Sequence, residues 1–163
     1  MQIYLQSVEG YDRVIVRGND FSARLKESIG DRSLKLIMEC IGGKIFEIGY
    51  QQMAPMGRMV VYGSARYASP GDRPNYPKMI YQFLTRPKID PQKMIEENKA
   101  ILGFNLIWLY EEIDLLHQIL KEVSKLNLGL PHVGHTFRFE NLPAAIKLFQ
   151  SGKTIGKVVV NVI

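Results

Sequence analysis

Apolar runs alternate with amphipathic segments through the first third of the chain. The apolar runs predict strands at residues 12–17, 34–41 and 58–62. Between the first two strands, Phe21, Leu25 and Ile29 recur at helical spacing, and between the last two a helix runs through 45–53. This order of strand, helix, strand, helix, strand predicts right-handed crossovers and a parallel sheet covered by helices.

A proline-rich segment, residues 64–91, interrupts this alternation directly after the third predicted strand. Its prolines leave room for one short helix, Lys78 to Leu84. Open α/β sheets bind their ligands at the C-terminal ends of the strands, and long segments of this kind are commonly functional. The pattern therefore indicates a ligand-binding edge beside this segment.

The second half begins with an apolar strand candidate at 101–109. A long amphipathic helix follows from Glu111 and ends before Gly129 and Pro131. The pattern of the tail predicts a strand at 133–139, a short helix that Asn141 can cap, and a strand at 157–163. We expect a domain boundary near Leu130-Pro131, which divides the chain into residues 1–130 and 131–163.

Composition narrows the class of protein. The 163 residues are 46% hydrophobic and 23% charged, which is typical of a globular domain. The net charge is +5, but the basic residues are scattered, so nucleic-acid binding is not expected. One cysteine, no signal-peptide pattern and no apolar run of membrane-spanning length predict a cytoplasmic protein without a membrane span.

Candidate chemistry is sparse when it is judged from the residues alone. Gly42-Gly43 follows a strand and opens a helix, where backbone N–H groups can hold a phosphate, but the G-x-G-x-x-G spacing is missing. His132 and His135 would point to opposite faces of a strand, so a metal site is not expected. Cys40 is interpreted as a small packed hydrophobe. No catalytic residue and no metal ligand is assigned.

Four stretches resemble one family, the medium-chain dehydrogenase/reductase superfamily, and within it the zinc-free quinone oxidoreductase branch. They are LIMECIGGKIFE (36–47), MAPMGRMVVYGSA (53–65), ILGFNLIWL (101–109) and FRFENLPAAIKLFQSGKTIGKVVVNVI (137–163). The resemblance implies a partial Rossmann-type, doubly wound parallel sheet with helices on both faces, followed by a strand-helix-strand tail. It also implies an NAD(P)H-dependent oxidoreductase of the quinone or alkenal reductase or alcohol dehydrogenase type.

The same resemblance implies that this chain is only the C-terminal part of such an enzyme. Family members begin with a GroES-like catalytic domain, and then have a first strand with a glycine-rich loop and a second strand. Residues 1–130 would be an incomplete nucleotide-binding domain, and 131–163 would be the tail that packs with the catalytic domain in the family. We therefore expect the chain alone to be inactive and to bind cofactor weakly or not at all.

The residues that the resemblance implies as contacts of NADP or NAD are Cys40, Ile41 and Gly42 on the adenosine side, Tyr62, Gly63 and Ser64 near the nicotinamide ribose, Phe104, Asn105 and Leu106 near the carboxamide, and Gly156 with Lys157. The implied partners are a small carbonyl or quinone substrate and a second copy that pairs through 101–109. An alternative interpretation is a non-catalytic Rossmann remnant that serves as an interaction or dimerisation module.

Overall fold

The computed structural model describes residues 2–7, 10–67 and 74–162. They form two compact units. Described residues of Met1–Ala68 and Tyr76–Asn105 make up the first unit, and those of Ser69–Asn75 and Leu106–Ile163 make up the second. The longer segment of the second unit begins at Leu106, whereas the sequence predicts a domain boundary near Leu130-Pro131. Residues 68–73 of the proline-rich segment lie outside the described residues.

The first unit is built on a three-stranded parallel sheet. Its elements are α1 (Gln2–Ser7), α2 (Phe21–Ile29), β1 (Leu36–Glu39), α3 (Lys44–Gln52), β2 (Arg58–Val61), a 3₁₀ turn (Ala65–Tyr67), α4 (Tyr76–Leu84), α5 (Pro91–Glu97) and β3 (Ala100–Gly103). The strands follow one another in the order β1-β2-β3. The predicted parallel α/β sheet is therefore confirmed.

One face of this sheet carries the core. Residues paired in register place Ile37, Met59 and Ile101 in one row across the three strands. Phe46 of α3 and Met53, the residue that follows α3, pack against that row, and Met59 is fully buried. Alternate residues of a strand point to opposite faces, so burying this row exposes the next one unless a second layer covers it.

The opposite face is open among the described residues of the first unit. Leu36 and Met38 of β1 are 59% and 60% exposed, and Leu102 of β3 is 47% exposed. Met38 and Leu102 lie in one row with Val60. The family resemblance implies helices on both faces of the sheet. Among the described residues of the first unit, the buried core lies on one face.

The strand predicted at 12–17 is wrong, because these described residues join no ladder. The side chain of Arg13 instead donates to the carbonyls of Glu27 and Ser28, at 3.1 and 2.7 Å, near the end of α2. A strand needs a neighbour to pair with, and residues 12–17 pair with none of the described strands β1, β2 and β3.

A helix that the sequence analysis did not predict begins at the end of the proline-rich segment. Besides α4, which covers the predicted helix, α5 forms at Pro91–Glu97. The side chain of Asp90 caps α5 by accepting the N–H of Gln92 at 3.0 Å, and Pro91 occupies the first turn. An Asp-Pro pair before a helix is a capping pattern. Treating every proline as a break concealed it.

The second unit contains the tail. Its elements are a 3₁₀ turn (Leu106–Tyr110), α6 (Ile113–Lys125), β4 (Val133–Arg138), a 3₁₀ turn (Phe139–Asn141), α7 (Leu142–Gln150) and β5 (Lys157–Asn161). β4 and β5 pair in parallel, with an irregularity between Val133 and His135. The predicted strand-helix-strand tail is confirmed.

The strand predicted at 101–109 is wrong in its second half. β3 ends at Gly103, and one further bond joins the N–H of Phe104 to the carbonyl of Val61 at 2.9 Å. Beyond that point β2 has ended, so the following backbone has no strand beside it. The 3₁₀ turn from Leu106 meets this need locally, because its backbone bonds close within three residues.

Candidate functional site

The site that the sequence indicates lies where β1, β2 and β3 end. Cys40 to Gly42 follow β1, Tyr62 to Ser64 follow β2, and Phe104 with Asn105 follows β3. Neighbouring parallel strands end at one edge of the sheet, so these three segments are brought together. Leu106, Gly156 and Lys157 belong to the second unit.

The turn after β1 is organised by a carboxylate that the sequence analysis did not single out. Glu39 is 4% exposed, and its Oε1 accepts the N–H groups of Ile41 and Gly42 at 2.8 and 2.7 Å. The carboxylate therefore holds the place that a bound anion takes in phosphate-binding turns. The N–H of Gly42 is committed within the chain, which favours the interpretation of Gly42-Gly43 as a tight turn.

Glycine is needed in this turn for two reasons. Gly42 and Gly43 have φ angles of 83° and 60°, in the region that side chains rarely adopt. The side chain of Arg66 also lies over both residues, since a Cβ at Gly43 would come within 2.9 Å of its Nη1. The backbone fixes Arg66 there, because its N–H donates to the carbonyl of Ile41 at 2.9 Å.

Gly63 lets the turn after β2 approach the turn after β1. A Cβ at Gly63 would lie 3.0 Å from the Cβ of Cys40. The carbonyl of Cys40 accepts the N–H of Ala65 at 2.8 Å, which ties the two turns together. The half-buried Cys40 is thus packed within the site, which is close to the interpretation made from the sequence.

Tyr62 places a phenol at the same edge. The hydrogen bond between the Tyr62 hydroxyl and the Cys40 side chain raises the pKa of Tyr62. The electrostatic effect of Cys40, burial and the charge of Glu39 raise this pKa as well. The hydroxyl therefore stays protonated well above neutral pH. A half-exposed, protonated phenol can donate a hydrogen bond to a ligand oxygen, but it cannot serve as a base near pH 7.

A cavity of about 530 Å³ opens beside these turns, and all its lining residues belong to the first unit. Gly42, Gly63 and Ser64 line it, together with Glu39, Arg66 and Arg86. The last three are charged residues that the sequence analysis missed. For Glu39, a charged residue ending an apolar strand was an available signal; the two arginines are brought in by the fold of the proline-rich segment.

Gly156 and Lys157 have a structural role in the tail. Gly156 has a φ of 79°, and a Cβ there would collide with His132. The N–H of Lys157 donates to the carbonyl of His132 at 2.7 Å, where β5 meets the start of β4. Within the described ranges, no group of three or more His, Cys, Asp or Glu side chains is placed to hold a metal ion.

No helix in the described part of the chain has both the length and the apolar character needed to cross a membrane.

A family model described as "Zinc-binding dehydrogenase" matches residues 10–160. The synaptic vesicle membrane protein VAT-1 homolog of Homo sapiens is 28% identical over 142 residues, which cover 85% of this chain and 36% of that protein. The chain thus spans about a third of the length of the curated relatives it matches.

Solved structures share the fold. The quinone oxidoreductase of Thermus thermophilus, also solved with NADPH, matches with a TM-score of 0.59 and 27% identity, over 88% of this chain and 40% of that one. A probable oxidoreductase from Mycobacterium abscessus matches with a TM-score of 0.69 and 19% identity, over 98% of this chain and 42% of that one.

Proposed function

Because the chain belongs to the zinc-binding dehydrogenase family, we propose that it is the C-terminal, cofactor-binding portion of an NAD(P)H-dependent oxidoreductase acting on a small carbonyl compound or quinone. The observation that carries the proposal is the strand-end site, where three parallel strands end beside the cavity and the turns of Gly42 and Gly63 approach each other closely. Doubly wound sheets bind dinucleotides at this edge.

The described residues fit part of a dinucleotide. Backbone groups of Tyr62–Ser64 and Phe104–Asn105 would line the nicotinamide end, where Tyr62 offers a phenolic donor. The N–H of Gly42 already binds Glu39, so a pyrophosphate would need donors from elsewhere. The cofactor, when bound, would supply the hydride, and the residues of this chain would position it. Among the described residues, no three His, Cys, Asp or Glu side chains are grouped so that they could hold a zinc ion.

A chimera tests the function. Residues 10–160 of this chain would replace the matching part of the Thermus thermophilus quinone oxidoreductase, and NADPH oxidation with 1,4-benzoquinone would be followed by the loss of absorbance of the reduced nicotinamide. We expect quinone-dependent oxidation. A folded chimera that binds NADPH but turns over no quinone or aldehyde would contradict the proposed activity.

The isolated chain provides the matched comparison. We expect the 163 residues alone to show no turnover and only weak affinity for NADPH, because the described strands supply one side of a dinucleotide site. Isothermal titration calorimetry measures this affinity directly. Micromolar binding of NADPH to the isolated chain would show that its own residues suffice to hold the cofactor.

The second candidate function, a dimerisation module, is favoured by one observation. β3 lies at an edge of the sheet, and its Leu102 is 47% exposed, so a second copy could pair along that edge. The pairing segment would be Ala100–Gly103 and not the whole of 101–109. Sedimentation of the wild type against Leu102→Lys tests it, and a wild type that stays monomeric at high concentration would exclude this function.

A further inference from the structure

Two arginines line the strand-end cavity without a carboxylate partner among the described residues. Arg66 is half-buried; its Nη2 donates to the hydroxyl of Thr85 across a long 3.4 Å, and its Nη1 is buried with no hydrogen-bonding partner. Arg86 places its guanidinium 4.3 Å from the ring centre of Phe83. A guanidinium has five N–H donors and binds oxyanions through two at once, so both side chains retain unused capacity.

The carboxylate of the cavity forms no ion pair with either arginine in the described part of the chain. The Oε1 of Glu39 binds two backbone N–H groups, and its Oε2 has no hydrogen-bonding partner in the described ranges. A partly buried cation without a counter-ion is unfavourable, and an anion from outside the chain relieves that cost.

The rest of the lining is largely apolar. Phe46, Val61, Ile89, Met94 and Ile101 contribute to the wall beside the charged residues. A cavity of about 530 Å³ has the size of small-molecule sites, which combine an apolar wall with a few polar groups. A ligand that satisfies this lining has an oxyanion at one end and an apolar or aromatic body at the other.

We propose that Arg66 and Arg86 form an oxyanion site, which binds the carboxylate or phosphate of a ligand whose apolar body lies against Phe46 and Ile101. It deepens the proposed function, because the same strand ends would take the cofactor and substrate; only the choice of ligand source rests on that function. Two sources share this chemistry. One is an anionic carbonyl substrate, such as an aromatic 2-oxo acid, and the other is the phosphate of the nicotinamide half of the cofactor.

Matched pairs of ligands test the site by calorimetry on the full 163-residue chain at low salt. Benzoylformate is compared with its methyl ester, and nicotinamide mononucleotide with nicotinamide riboside. In at least one pair, we expect the member that carries the carboxylate or phosphate to bind roughly tenfold more tightly than the member that lacks it. The pair that shows the difference identifies the source as substrate or cofactor.

Variants assign the effect to the arginines. Arg66→Gln and Arg86→Gln should each reduce the preference for the anion, and Arg66→Lys should recover only part of it, because lysine lacks the planar fork. Arg58→Gln removes the same charge at the other end of β2 and should change nothing. Thermal melts establish whether each variant is folded. If Arg66→Gln does not fold, Arg86→Gln still tests the site, because Arg86 is exposed.

Three results would overturn the site. They are equal affinity in both pairs for the members with and without the oxyanion, an unchanged preference in both arginine-to-glutamine variants, and displacement of the ligand by inorganic phosphate at equal concentration, which would mean an adventitious ion only. None of these measurements requires reductase turnover, so the oxyanion site can fail while the proposed oxidoreductase function stands. The reverse is also possible.

Discussion

Met59 and Met38 lie in neighbouring strands of one sheet, yet Met59 is fully buried and Met38 is 60% exposed. They point to opposite faces. Phe46 of α3 and the adjoining Met53 cover the face of Met59, and no described element of the first unit gives Met38 equal cover. Stability therefore rests on the covered face. The open face and the strand ends are where this unit can accept further chain or a ligand.

Truncating the two methionines should show the largest contrast. Met59→Ala should lower the free energy of unfolding by about 2–5 kcal/mol, because a fully buried side chain leaves a cavity. Met38→Ala should change it by no more than about 0.5 kcal/mol, as an exposed substitution does. Urea unfolding measures both, and similar losses would show that the face of Met38 is also packed.

The ammonium of Lys99 gives a second contrast on the covered face. The Lys99 side chain is 7% exposed, and its ammonium lies 3.0 Å from Oε2 of Glu97, donates to the carbonyl of Tyr50 at 3.0 Å and sits over the Tyr50 ring. Lys99→Met should cost roughly 1.5–3 kcal/mol, the range for hydrogen bonds to charged groups. Lys93, the more exposed partner of Glu97, is the control: Lys93→Met should cost about 0.3–0.5 kcal/mol. If Lys99→Met and Lys93→Met lower the free energy of unfolding equally, the burial of Lys99 does not strengthen its interactions.

Two glycines at the strand ends contrast a crowded position with an open one. Gly63→Ala should cost about 1–2 kcal/mol, because the new methyl would press on Cys40. Gly103→Ala meets nothing within 4 Å and should be neutral or stabilise by about 0.4–1 kcal/mol. Chemical denaturation compares them. If Gly63→Ala is harmless, the close approach of the two turns is wrong.

The smallest effect is a dependence on pH. The hydrogen bond from Lys99 lowers the pKa of Glu97 below its ordinary value, although partial burial opposes this. A carboxyl pKa that is lowered in the folded state adds stability at pH values above the unfolded-state pKa of about 4.3. That stability is lost as the pH falls through the folded-state pKa. Melts between pH 7 and pH 3 should show a smaller acid loss in Lys99→Met than in wild type. If Lys99→Met and the wild type lose the same stability between pH 7 and pH 3, the lowered pKa of Glu97 does not contribute to the pH dependence.

Much of the architecture was visible in the sequence, because it depends on local periodicity. β1, β2, the first half of the strand predicted at 101–109, the helices α3 and α4, and the strand-helix-strand tail were predicted from the sequence pattern. Residues 12–17 show the limit of this reasoning. Val14 to Val16 have the composition of a strand, but a strand requires a neighbour, and hydrogen-bonding partners are not written in a local pattern.

The same limit applies to the segment after β3. Residues 106–109 are as apolar as a strand, but β2 ends before them, so the chain turns into a 3₁₀ helix. At the candidate site, the glycines were found from their place after strands. Arg66 was missed because it acts across the fold, lying over glycines more than twenty residues away in sequence. Glu39 acts locally on two backbone N–H groups of its own turn, and the charged residue at the end of an apolar strand was a signal that the sequence analysis did not use.

The sequence by itself determined the parallel α/β class and the resemblance that the family match confirmed, and it predicted a ligand-binding edge at the strand ends. These follow from periodicity, turn residues and motifs, all of which are local. Only the tertiary structure decided which face of the sheet is buried, where β3 stops and which charges meet in the cavity. Burial and unpaired charge are properties of neighbours in space, and those neighbours come from distant parts of the chain.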